Sequence, residues 1–114
     1  MLEVTPERFE ELVADALDLI PEELARRMDN VAVFVQDRAR QRGLLGLYQG
    51  VPLTLRGSGY AAVPPDKITI YRGPLERLYG DGDELRRQVR RVVLHEIAHH
   101  FGISDERLEE LDAY

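Results

Sequence analysis

Apolar residues recur at positions 9, 12, 13, 16, 17 and 20 of TPERFEELVADALDLI (5–20), with charged residues filling most of the gaps. That is the spacing of one helix face. Thr5 can cap the first turn, and Pro6 sits where a helix has no use for its missing N–H, so the pattern predicts a helix beginning at Pro6. Pro21, Glu22 and Glu23 predict a second, shorter helix to about Met28, and the β-branched and aromatic run NVAVFVQ (30–36) predicts a strand. From residue 43 to 83 glycine and proline break the pattern repeatedly. Within that stretch LLGLYQG (44–50) and DKITIYR (66–72) predict short strands, the second alternating Ile68 and Ile70 against Thr69 and Tyr71. VPLTLRGSGYAAVPP (51–65) is then a long connection. Beyond it, Asp81 or Asp83 is placed to cap a helix that runs to about Phe101. Gly102 would end that helix, and Ser104 would cap a last one.

At 114 residues the chain can close one hydrophobic core and hardly two, so residues 1–114 are expected to form a single domain. No apolar run approaches the roughly 18–20 residues of a membrane span, and the first residues are acidic where a secretory signal would be basic. A cytosolic protein that does not enter the membrane is the expectation. Net charge is −6, which argues against nucleic acid as a partner, because binding it needs a basic face. The local cluster ELRRQVRR (84–91) pairs acid with base at helical spacing and reads as a solvated face. There is no cysteine, so any metal must be held by histidine, carboxylate and water.

All three histidines fall between positions 95 and 100. Val92, Val93, Leu94, Ile97, Ala98 and Phe101 surround them on nearly the full helix circumference, which predicts burial on most sides. Buried imidazoles and a buried carboxylate are costly without a partner. The spacing His95-Glu96-x-x-His99 names one: residues at i and i+4 share a face, and both rings can reach one metal ion. Glu96 lies about 100° round the helix from His95, beside such a metal and not on it. There it can take a proton from an activated water, which is the chemistry of peptide hydrolysis. Glycine at 102 can turn the chain back, so that Asp105, three residues later, becomes the third ligand. As the residue after the Ser104 cap, Asp105 could instead serve the positive end of the last helix; the spacing favours the ligand. Two imidazoles and a carboxylate suit a single zinc ion. His100 points off the metal face and reads as a packed or supporting histidine. Tyr71 and Tyr114 could stabilise an oxyanion, but packing is the plainer role for each.

The string HEIAHHFGISDERLEEL, together with GLYQGVPLT and PPDKITIYRGPLE, resembles the small bacterial zincin-like metallopeptidases, the minimal zincins, over roughly residues 30–112. The resemblance implies an α+β fold in which a small twisted sheet packs beside the active-site helix, with His95, Glu96, His99 and Asp105 in the positions just argued. The chain departs from larger zincins with the same long motif, which carry a methionine turn after it. Met1 and Met28 both precede the motif here. Two function classes follow. One is a zinc-dependent peptidase acting on a peptide or protein substrate, with an edge strand such as LLGLYQG pairing to the extended substrate. The other is a metal-binding regulatory or interaction module, since 114 residues leave little material for the far wall of a cleft.

Overall fold

Thr5 accepts a hydrogen bond from the Arg8 N–H at 3.1 Å and starts α1, Pro6–Asp18. In the computed structural model, which describes residues 5–52, 56 and 65–110 (108–110 by their backbone alone), the buried face of α1 is Phe9, Leu12, Val13 and Ala16. That is the face the periodicity predicts. The second helix, α2, is only Glu22–Ala25 and buries nothing, so it ends short of Met28. One helical turn with no apolar face to bury has little to hold it.

Three strands follow: β1 Val31–Gln36, β2 Gly46–Gln49 and β3 Asp66–Tyr71. They form one mixed sheet in the order β1-β3-β2, with β3 parallel to β1 and antiparallel to β2. Centrality changes the reading of β3. Ile68, Thr69, Ile70 and Tyr71 are all buried, so its alternation does not separate a wet face from a dry one. Tyr71 is a packing residue there. β2 is an edge strand: among the described residues it pairs with β3 alone.

A helix absent from the sequence-based expectations, α3 Arg72–Tyr79, continues directly from β3. Gly73 and Pro74 read as a turn, but a proline in the first helical turn forfeits no hydrogen bond. Gly73 instead lets its N–H reach the Asp37 carbonyl at 2.9 Å. The long helix α4 spans Asp83–His100. Its N-cap is Gly82, with no side-chain cap, so neither Asp81 nor Asp83 caps it and Asp83 is already its first residue. Glu84 pairs with Arg87 at 2.5 Å and accepts from Gln88 at 2.9 Å on the exposed face, a solvated surface as expected.

α4 packs on β2 and β3 and also on α1 and α3, and one apolar cluster joins Phe9, Leu12 and Val13 of α1, Ile68 and Ile70 of β3, Leu75 of α3 and Leu85, Val89 and Val93 of α4. Leu94, one of the apolar residues of the segment expected to be buried on most sides, is 43% exposed. The last helix, α5 Asp105–Glu110, is capped by the Ser104 hydroxyl on the Arg107 N–H at 3.2 Å. Tyr114 and nearly all of the 51–65 connection lie outside the described residues. No helix among the described residues is long and apolar enough to cross a membrane.

Candidate metal centre

The end of α4 is built to fold the chain back on itself. Gly102 takes φ 88°, a conformation that glycine adopts freely, and its N–H bonds the His99 carbonyl at 2.9 Å while the Ile103 N–H bonds the Ala98 carbonyl at 2.9 Å. This pair of bonds closes the helix and aims the next residues toward the face that carries His95 and His99. Asp105, at the start of α5, comes to rest with Oδ1 3.1 Å from His95 Nε2 and 3.0 Å from His99 Nε2. The two Nε2 atoms are 3.1 Å apart.

Ring tautomers follow from the partners. His99 Nδ1 lies 2.8 Å from the Ile103 carbonyl, which can only accept, so Nδ1 carries a proton and Nε2 is the nitrogen left to hold a metal. Burial, and then the neighbouring His99, lower the pKa of His95, which favours the neutral form of this ring. Three electron-pair donors at 3.0–3.1 Å separations suit a cation at their centre. Ligands at about 2.0–2.1 Å round a tetrahedral zinc stand roughly 3.3 Å apart, close to these edges. Among the described residues His95, His99 and Asp105 are the only group of this kind. Glu106 is exposed and stands outside it.

Glu96 faces the sheet beside this group and is 7% exposed. Burial is the main reason its pKa rises from 4.5 to about 7; the His99 ring opposes the rise, Asp105 adds to it, and a hydrogen bond from the Tyr48 backbone N–H opposes it. Gly46 makes the space. A Cβ on that residue would stand 2.7 Å from Val92 Cγ1 and 3.1 Å from Glu96 Cγ. The group opens on a cleft of about 690 Å³ between α4 and β2, walled by Leu44, Leu47, Pro52, Val92 and Ile103 with Arg91 on its lining.

Residues 28–114 match the model of the zincin-like metallopeptidases. The chain belongs to that family. No curated protein matches it. Among solved structures, a conserved hypothetical protein from Thermus thermophilus is similar to it at 28% identity and a TM-score of 0.56, covering 95% of this chain and 97% of that one. The α+β architecture, a small mixed sheet beside a long helix, is the zincin-like one that the motifs imply.

Within this zincin-like fold the sequence-derived residues fall together: His95, His99 and Asp105 converge and Glu96 lies beside them. His100 does not join them. It is fully buried, with Nδ1 3.0 Å from Asp66 Oδ2 and Nε2 accepting the Asp29 N–H at 3.3 Å. Three residues at the site carried no role in the sequence: Gly46, Tyr48 and Asp66. Two segments quoted for the family resemblance contain them, but nothing in either segment says that Tyr48 and Gly46 meet Glu96.

Proposed function

We propose that this zincin-like protein is a zinc-dependent peptidase, acting as a single domain, in which His95, His99 and Asp105 hold one zinc ion and Glu96 is the general base. The observation that carries the reading is the triangle of electron-pair donors at 3.0–3.1 Å with a buried carboxylate at its side, opening on a cleft beside an edge strand. Zinc bound there supplies a Lewis acid that polarises the carbonyl under attack and lowers the pKa of a coordinated water to about 7.

The protein's own part is binding, orientation and proton transfer. Tyr48 turns its N–H away from β3 toward Glu96, so the peptide groups on that side of β2, those of Gly46 and the Tyr48 carbonyl, face the cleft. An extended peptide can pair with them and lay its carbonyl over the metal position. Glu96 takes the proton of the attacking water at its carboxylate and passes it to the leaving amine nitrogen.

Digestion of a mixed peptide library by the zinc-loaded chain, followed by mass spectrometry, tests this reading. Cleavage that a chelator abolishes and added zinc restores is the expected result. Zinc uptake without any cleavage would favour the binding-module reading.

A further inference from the structure

The segments around Tyr48 and Asp66 meet in a buried polar cluster that the proposed chemistry leaves without a role. Asp66, the first residue of β3, is 2% exposed. Its carboxylate accepts from the Tyr48 hydroxyl, from the Val51 N–H at 3.1 Å, from Arg56 Nη2 at 2.7 Å and from His100 Nδ1 at 3.0 Å. Arg56 also reaches the Asp29 carbonyl at 3.0 Å, and His100 accepts the Asp29 N–H on its other nitrogen. Gly50 follows β2 because a Cβ there would fall onto the Asp66 carboxylate. Burial pushes the Asp66 pKa up, but the four donors outweigh it and hold the carboxyl below the usual range.

Burying a carboxylate, a guanidinium and an imidazole together is a costly way to fill space, and apolar side chains of similar volume often stabilise a fold as well or better. Directional bonds do what apolar packing does not: they fix positions. Two arms of this cluster end at the candidate metal centre. Tyr48 gives its hydroxyl to Asp66 and its backbone N–H to Glu96. His100 gives Nδ1–H to Asp66 and is the next residue after His99 on the last turn of α4.

We propose that Asp66 is a positioning residue of this site, setting where Glu96 stands through Tyr48 and where His99 stands through His100. The inference rests on the zinc-centre reading above. It assigns a purpose to the GLYQG and PPDKITIY segments, which lie far from the metal motif in sequence.

The test uses the full chain loaded with Co²⁺, because zinc is spectroscopically silent and the visible bands of Co²⁺ report ligand geometry. Asp66→Asn, Tyr48→Phe and His100→Phe are compared, each checked for folding by circular dichroism. Acetohydroxamate, which binds such a metal and hands its proton to the neighbouring carboxylate, reports on Glu96. Tyr48→Phe should keep Co²⁺ affinity within about twofold and lose about tenfold in acetohydroxamate affinity, the low end of outer-partner effects. His100→Phe should weaken Co²⁺ binding about tenfold and shift its absorption bands. Asp66→Asn should do both, and if it does not fold the other two variants decide. Folded Tyr48→Phe and His100→Phe proteins with unchanged Co²⁺ spectra and acetohydroxamate affinity would overturn the proposal while leaving the metal centre standing. A wild-type chain that takes up no Co²⁺ would overturn the metal centre and the proposal together.

Discussion

Gly46 and Glu96 touch across the junction of sheet and helix, so closely that a Cβ on Gly46 would stand 3.1 Å from Glu96 Cγ and 3.2 Å from its Oε2. The edge strand and the carboxylate share one space, and glycine is what lets both occupy it. Gly46→Ala should destabilise the fold by about 1–3 kcal/mol, as overpacking does. Hydrolysis should fall further than zinc affinity, because the three atoms nearest the added methyl group belong to Val92 and Glu96. Chemical denaturation, zinc titration and peptide cleavage on the same variant check the three parts.

The purified chain should carry about one zinc, since two imidazoles and a carboxylate form a four-coordinate site with one open position. His95→Ala combined with His99→Ala should abolish uptake. Asp105→Ala should weaken it by more than the roughly 10–100-fold that losing an outer partner costs. Glu106→Ala should change it little. Elemental analysis and competition with a chromophoric chelator measure each.

Glu96→Gln should leave zinc affinity nearly intact and lower hydrolysis by about 10²–10⁴-fold, the usual worth of a general base. The amide keeps the size of the side chain but cannot take the proton. Loss of metal and activity in equal measure would make Glu96 a ligand.

The same substitution has an opposite effect on the stability of the metal-free protein. Glu96 titrates at about 7 in the fold against 4.5 when exposed, so its contribution is fully present below pH 4.5 and is lost as pH rises through 7. Glu96→Gln should therefore raise the stability of the metal-free chain at pH 8, on the order of 1–2 kcal/mol after solvent screening, and change it little at pH 5. Asp66 runs the other way. Its pKa is held below 3.8, so its contribution is present above that value and is lost as pH falls. The stability gap between wild type and Asp66→Asn should narrow below pH 4. Thermal melts across pH in the presence of a chelator check both signs.

The parts legible in the sequence were those whose cause is local. The face of α1 follows from six apolar positions and a Thr-Pro start. The return of Asp105 follows from Gly102 and the spacing of the motif. Other features needed the tertiary structure. Thr69 and Tyr71 look like the wet side of a strand until β3 proves to be central, with both faces covered. Gly73-Pro74 looks like a turn, yet it opens α3 because a first helical turn tolerates proline. Asp81 and Asp83 are good caps by type, but the cap position falls between them, on Gly82, and the helix starts at Asp83. Asp66 and His100 stand far apart in sequence, and no local pattern announces that one holds the other.

The most direct test of the metal centre is a crystal of the zinc-loaded chain with diffraction data collected on both sides of the zinc absorption edge. One anomalous peak is expected, about 2.0–2.2 Å from His95 Nε2, His99 Nε2 and an Asp105 oxygen, with Glu96 outside the ligand set. A peak ligated by a glutamate, with Asp105 turned away to serve the start of α5, would contradict it.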